Sequence, residues 1–433
     1  MYNTIEHKCE KCGASLVFNP ETQTMECPFC GTFTEVFNTK KNEGSLRSKK
    51  KKKKNETKLT SEELQYFSEY QCVSCGGDIY TDETTSATLC PYCGNAVILR
   101  GRVSGMLKPS EIIPFQISKE QALEGLDAFI GSKRFVHKDF INKRKLDEVK
   151  GLYVPFWLFD ADLTGEMTFD CVNERVWTKG DYEYTERKYY EVKRAGDLSF
   201  SDVPVVGSTK VSAEMMESIE PYRSYKGTDF LTGYLSGYVA DMYDIDQYSA
   251  RPRAEERMLN SFESELISTV DYDEVTVSDK GLDVERCKGR YALYPVWLMS
   301  SVWNNQTFTF AMNGQTGKTA GNLPVSWSGL LLTSALITIL SIGIPSLFSF
   351  LISKDFNLIF VVIGLLIGCV ISIVLIVSYS NQLVTIQSKK SASGYYDSYS
   401  LDLSIEEDEY LYKKVTKRKI NDDDDDNDDY DDY

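Results

Sequence analysis

Histidine is almost missing from this chain: 433 residues contain two, His7 and His137. A catalytic zinc site built from several imidazoles therefore cannot be assembled. His137 lies in the charged stretch Lys133 to Lys145 and reads as a surface residue rather than a base. A basic surplus is missing too. Lys and Arg number 48 against 64 Asp and Glu, a formal net charge of −16, whereas a free-standing nucleic-acid binder is more often basic. No signal-peptide pattern precedes Cys9, so a disulfide framework is not expected. No Ser/His/Asp or Cys/His arrangement can be picked out, and the chain is read as non-enzymatic.

What the chain does have is a duplicated cysteine pattern. Cys9-x2-Cys12 and Cys27-x2-Cys30 recur, shifted by 63 residues, as Cys72-x2-Cys75 and Cys90-x2-Cys93. The neighbours repeat as well: Gly13 matches Gly76, and Cys-Pro-Phe-Cys-Gly at 27–31 matches Cys-Pro-Tyr-Cys-Gly at 90–94. Four thiolates at this spacing can converge on one tetrahedral ion, and the glycine after a second cysteine permits the left-handed turn that aims backbone N–H groups at sulfur. Redox-active Cys-x-x-Cys usually occurs as a single pair near a βαβ unit. Two structural Zn²⁺ ions are therefore expected, with iron in a similar four-sulfur site as the rival. Each ribbon is too small for a sufficient apolar core, so the metal must supply folding energy of roughly 10–16 kcal/mol. Cys171, Cys287 and Cys369 fall outside the pattern and read as small buried hydrophobes.

Two runs are too apolar for a soluble surface. Residues 329–352 and 356–377 carry no charge, and each exceeds the ~20 residues that cross a bilayer as a helix. Only Ser353-Lys354-Asp355 separates them, so a helical hairpin with both ends on one side is expected. Pro345 should kink the first helix, and Gly364 and Gly368 form a weak Gly-x-x-x-Gly signal for close packing. Lys318, Lys389 and Lys390 against Lys354 give a positive-inside bias. The cysteines, which keep metal best in a reducing compartment, point the same way: a multi-pass membrane protein with both termini cytosolic.

The remaining segments complete a multidomain fold: zinc ribbon 1 at 5–37, a Lys-rich linker at 38–60, zinc ribbon 2 at 66–100, an α+β, β-rich domain at 101–325, and a tail at 381–433. Helices are expected at 119–130, with Ser118 as cap, and near 138–149 and 254–269. Strands are expected at 154–158, 166–172, 182–192, 275–277 and 307–312. Leu152-Tyr-Val-Pro-Phe-Trp-Leu echoes Ala292-Leu-Tyr-Pro-Val-Trp-Leu, which reads as a duplicated β-rich unit with Trp157 and Trp297 in its core; an aromatic ligand groove is the sharper alternative. Gly314-Gln-Thr-Gly-Lys-Thr has two residues between its glycines where a phosphate-binding loop needs four, so Asn313-Gly314 is read as a hairpin turn. The Lys49–Lys54 run reads as a solvated spacer, with anionic lipid, nucleic-acid phosphate or the acidic tail as alternative contacts. The acidic end of the tail, with nine Asp in residues 421–433, reads as disordered and solvating, with cation binding or a basic partner as alternatives.

Taken in order, several segments resemble a family of prokaryotic membrane proteins known as TFIIB-type zinc-ribbon proteins, some labelled as relatives of the primosomal helicase. The matching elements are Cys72-x2-Cys75-Gly76 with Cys90-Pro-Tyr-Cys93-Gly94, Ile112-Ile-Pro-Phe, Gly151-Leu-Tyr-Val-Pro-Phe-Trp, Leu293-Tyr-Pro-Val-Trp and Met312-Asn-Gly-Gln-Thr-Gly-Lys. The resemblance covers roughly residues 5–380. It implies no established enzymatic activity. It implies protein partners: an SPFH-domain scaffold and phage shock protein A, in a membrane-stress complex. The expectation is a membrane-anchored zinc-ribbon adaptor; the rival is a membrane protein that binds nucleic acid through the ribbons and Lys49–Lys54.

Overall fold

The computed structural model describes residues 8–36, 67–72, 78–82, 97–102, 107–137, 140, 149–304, 306–353 and 358–420. Its strands are β1 (Val17–Asn19), β2 (Thr24–Glu26), β3 (Phe33–Thr34), β4 (Phe67–Cys72), β5 (Asp78–Asp82), β6 (Val97–Arg102), β7 (Glu111–Ile112), β8 (Lys150–Lys179), β9 (Tyr182–Val206), β10 (Val239–Ala240), β11 (Glu274–Trp303), β12 (Gln306–Asn313), β13 (Thr319–Gly321) and β14 (Asp402–Lys419). Its helices are α1 (Lys119–Gly131), α2 (Ala213–Ser218), α3 (Gln247–Ser268), α4 (Trp327–Ser353) and α5 (Leu358–Leu383). β1, β2 and β3 form a small sheet of their own; a large sheet runs in the order β13-β12-β11-β8-β10-β5-β4-β6, with β7 beside β11 and with β9 beside β8 and β14. The chain forms two compact units: Met1–Trp157 with Val205–Ala250 and Arg290–Lys389, and Leu158–Pro204 with Arg251–Gly289 and Lys390–Tyr433.

The core of the first unit is built twice. β10 lies parallel to β8, with Val239 opposite Leu152; β7 lies parallel to β11, with Glu111 opposite Ala292. Pro155 O accepts from Gly207 N at 2.8 Å, and Pro295 O accepts from Gly314 N at 2.8 Å. Gly207 O in turn accepts from Asp244 and Ile245 N–H, as Gly314 O does from Gln116 and Ile117 N–H. Trp157 Nε1 donates to Ile245 O at 2.8 Å and Trp297 Nε1 to Ile117 O at 3.1 Å. Ser118 then caps α1 through the Gln121 N–H, and Asp246 caps α3 through the Ser249 N–H. Thus β7-α1-β8-β9 and β10-α3-β11-β12 are two versions of one motif, and each lends its short strand to the other's long one. Both tryptophans are buried, 2% and 5% exposed, with their single polar atom satisfied, as core residues are.

The phosphate-loop look-alike is a turn, as its spacing implies. It joins β12 to β13, and Asn313 Oδ1 accepts from Gln315 and Thr316 N–H. Asn313 Nδ2 donates to Ile219 O and Pro221 O, while Gln315 exchanges hydrogen bonds with the Arg223 backbone in both directions. The motif's polar side chains clamp the 219–223 segment.

Helix α1 matches its expected span, with a complete Ser118–Gln121 capping box. Helix α3 starts at Gln247, earlier than 254, because Asp246 caps ahead of Pro252. Apart from Phe140, the helix expected near 138–149 falls largely outside the described residues.

In the second unit the strands are far longer than the separate short ones expected. β8 runs on because Phe159, Ala161 and Leu163 keep facing inward while Asp160 and Asp162 face outward. Those acids have partners there: Asp160 accepts from Asp202 N–H, and Asp162 from Ser199 Oγ and Arg286. β11 likewise continues through its polar stretch 278–289, where Ser278 Oγ donates to Thr168 O. The 381–433 tail contributes a strand that the sequence reading did not include. Its residues Asp402–Lys419 are strand β14, paired antiparallel with β9 from Asp402 opposite Asp197 to Lys419 opposite Tyr182. Arg194, with its side chain 4% exposed, holds Asp408 at 2.7 Å in that ladder. Arg257, fully buried, donates to Pro204 O and Ser391 O, tying α3 to the chain ahead of β14. The acidic stretch 421–433 and the Lys49–Lys54 run lie outside the described residues.

Candidate metal centre and membrane hairpin

Ribbon 1 brings Cys9, Cys12, Cys27 and Cys30 together. Their sulfurs all lie within 4.8 Å of one another, with Cys9–Cys30 at 3.5 Å and Cys12–Cys27 at 3.4 Å. Four sulfurs about 2.3 Å from a tetrahedral ion stand about 3.8 Å apart, so the cluster fits one metal ion. The two turns that present them are alike. Gly13 N donates to Cys9 O and Cys9 N to Ala14 O; Gly31 N donates to Cys27 O and Cys27 N to Thr32 O. Gly13 and Gly31 both take positive φ, +76° and +65°, as the motif requires.

Backbone donors aimed at the sulfurs favour thiolates. Cys30 is drawn down to about 6 by the Thr32 hydroxyl and backbone N–H. Cys9 is lowered by the N–H groups of Cys12 and Lys11. At Cys12 the Ala14 N–H pulls the same way, but the sulfurs of Cys27 and Cys30, with burial, push it up to about 12. A metal cation held by these four residues would relieve the crowding of sulfurs and displace their protons.

The ribbon is docked, not tethered. Phe18, 1% exposed, packs edge-on against Tyr234 at 5.1 Å and near Tyr238 at 6.5 Å. Phe18 N donates to Ser236 O, and Gln23 Nε2 donates to Phe115 O at 2.8 Å. Beside the contact is a cavity of about 660 Å³ lined in part by Asn19, Glu26, Ser118, Lys150 and Trp297. Ribbon 2 reaches the same segment: β4 pairs with β5 and β6, and Tyr80 of β5 pairs with Ala240 of β10. Cys72, the last residue of β4, is fully buried. Cys75, Cys90 and Cys93 lie outside the described residues. Both ribbons therefore meet the core on residues 234–240, a convergence no spacing rule announces. Of the remaining cysteines, Cys171 is buried, Cys287 half-buried, and Cys369 lies on the outward apolar side of α5. Burial pushes the thiols of Cys171 and Cys287 up to about 11.

Helices α4 and α5 are each long and apolar enough to cross a membrane. At 1.5 Å per residue each spans about 40 Å, more than the roughly 30 Å hydrocarbon core. Their outward side chains, among them Leu332, Ile339, Phe348, Leu366 and Ile373, are exposed. The inner seam is made of small residues. Gly364, Gly368 and Ser372 are the buried positions of α5, together with its last residue, Leu383. A Cβ on Gly368 would stand 2.9 Å from Thr338 Cα and one on Gly364 2.9 Å from Ile342 Cα. Ser341 Oγ donates to Gly364 O and Ser372 Oγ to Ser334 O. The Gly-x-x-x-Gly step is thus the packing face, extended by a third small residue. The two ends are stapled together: Leu323 N donates to Leu383 O, and Gly321 N to Thr385 Oγ1. Lys318 and Lys389 are engaged in the fold, the first through Glu220 O at 2.5 Å and the second by an ion pair with Glu220 at 3.8 Å.

The chain thus joins four cysteines in metal-site geometry, a β-rich body and two packed helices long and apolar enough to cross a membrane. A comparison with curated proteins places it further. The chain is 33% identical over 323 residues to the uncharacterized protein YdjG of Bacillus subtilis (strain 168), covering 74% of this chain and 91% of that one, and it belongs to that protein's family. No protein-family model matches the sequence, and no solved structure matches it.

Proposed function

We propose that this protein is a non-enzymatic, membrane-anchored adaptor of the TFIIB-type zinc-ribbon kind. Two structural Zn²⁺ ions fold its ribbons, one on Cys9, Cys12, Cys27 and Cys30, the other on Cys72, Cys75, Cys90 and Cys93. Four thiolates with no imidazole or water position favour a closed structural zinc site over a catalytic one. The α4–α5 hairpin anchors the chain with both ends, and hence both termini, on the cytosolic side.

The observation that supports docking is the division of ribbon 1 into two faces. Phe18 faces the core, whereas Phe29 and Phe33 are 84% and 55% exposed. Phe29 sits between two zinc-ligand cysteines, on a turn that metal would hold rigid. Exposed aromatics on a rigid, pre-ordered turn bind a protein partner at low entropic cost. The partner expected from the resemblance is an SPFH-domain scaffold or phage shock protein A, and the setting is envelope stress.

The test is affinity purification of the full chain from native membranes in several mild detergents. A stoichiometric protein should co-purify with the wild type and be lost with F29S/F33S. Recovery of the wild-type chain alone in every detergent contradicts the adaptor reading.

A further inference from the structure

The base of the hairpin carries a basic, aromatic turn that the helices themselves hold in place. Phe135 has φ +60°, a left-handed backbone that a bulky side chain rarely adopts. Contacts on several sides enforce it. Its carbonyl accepts from Ser326 N at 2.7 Å, Val136 bridges to Val325, and His137 N donates to Pro324 O. Its ring meets Tyr379 of α5 edge-on at 4.9 Å, and a Cβ on Gly329 of α4 would lie 3.3 Å from it. The ring is therefore fixed against the last turns of α5 and the first turn of α4, a helix that begins at Trp327, which is 58% exposed. Trp and Tyr at this depth are the residues that favour a membrane–water boundary.

Lys133 and Arg134 come immediately before that ring. Arg134 is exposed, and the Lys133 ammonium lies 5.4 Å from the Phe129 ring centroid. Residues 133–145 hold six Lys and Arg against one Asp, in a chain of net charge −16. By contrast, Lys318 and Lys389 are engaged with Glu220. We propose that Lys133, Arg134 and Phe135 form a binding site for an anionic phospholipid headgroup. The phosphate meets the Arg134 guanidinium and Lys133 ammonium while the Phe135 ring holds the turn at headgroup depth. The site rests on the reading that the hairpin spans a membrane, and it is separate from the Lys49–Lys54 run.

The test uses the full-length chain. Membranes are first extracted with alkaline carbonate. The purified protein in mild detergent is then titrated with phosphatidylglycerol or phosphatidylcholine, and bound lipid is counted by native mass spectrometry. The wild type should prefer phosphatidylglycerol. K133Q/R134Q should lower that preference by about fivefold or more, since one basic residue near an anionic surface contributes about that factor. Replacing all of Lys49–Lys54 with glutamine should leave it in place. Equal binding of both lipids by the wild type, or a preference unchanged in K133Q/R134Q, overturns the site. A chain that stays in the carbonate pellet yet shows no preference loses this site alone; a chain that washes out loses the membrane reading and this site with it.

Discussion

Replacing Phe18 by alanine should detach ribbon 1 from the core without emptying its metal centre. Phe18 is 1% exposed and its ring lies between the ribbon and Tyr234 and Tyr238. Truncating a buried phenylalanine costs about 3–5 kcal/mol, and much of that loss falls on the docked state because the ring faces Tyr234 and Tyr238. At 1.4 kcal/mol per tenfold, the undocked population should rise by about two to three orders of magnitude. The metal turns are held independently, by Gly13 N to Cys9 O and Gly31 N to Cys27 O, so the sulfurs should still converge. Hydrogen–deuterium exchange should show lost protection in β1, at the residue 18 amide that donates to Ser236 O, with bound metal unchanged. Unchanged protection in that segment would refute the docking argument. Loss of metal together with protection would refute the independence of the ribbon.

Other outcomes follow from the same contacts. W157F and W297F should each cost about 1 kcal/mol in thermal or denaturant unfolding, because each removes one indole donor from an equivalent place in the duplicated core; a large inequality would argue against equivalence. G368L should destabilise the hairpin by about 1–3 kcal/mol through overpacking against Thr338, read as a lower melting temperature in detergent. Asp408 is held below the usual carboxylate range chiefly by Arg194, with burial opposing and the Tyr272 hydroxyl assisting. Its folded value is the lower one, so its contribution is complete above the ordinary carboxylate value of about 3.9 and is lost as pH falls through the lowered value. Exchange protection of the β9–β14 ladder should therefore persist through mild acid and fall below about pH 4, and D408N should weaken the ladder at neutral pH and flatten that acid response.

Much of this architecture is legible from residue spacing. The Cys-x2-Cys-Gly turns demand the geometry that Gly13 and Gly31 adopt, the uncharged runs contain the cores of both long helices, and Ser118 with Gln121 marks the start of α1. The Pro-x-Trp echo points to the duplication, although only the hydrogen bonds from Gly207 and Gly314 reveal that the halves exchange strands. The long strands were hidden by their charges. Asp160 and Asp162 look like loop residues until Ser199, Asp202 and Arg286 meet them. β14 reads as a charged tail because its binding partner, β9, lies some 200 positions earlier in the chain, with Glu407 opposite Lys193. Pairing at that separation leaves no local signature. The ribbon contacts on 234–240 are of the same kind: Phe18 looks like any ribbon core residue until Tyr234 and Tyr238 are brought to it. The seam of α4 with α5 did have a signal, since Ser334, Thr338, Gly364, Gly368 and Ser372 recur at four-residue steps on their own helices.

The most direct test is the metal content of the full-length chain purified from membranes without added metal. Elemental analysis should give two zinc ions per chain, falling to one in C9S/C12S and to one in C72S/C75S. A chain that carries no zinc, or iron in its place, would contradict the account at its centre.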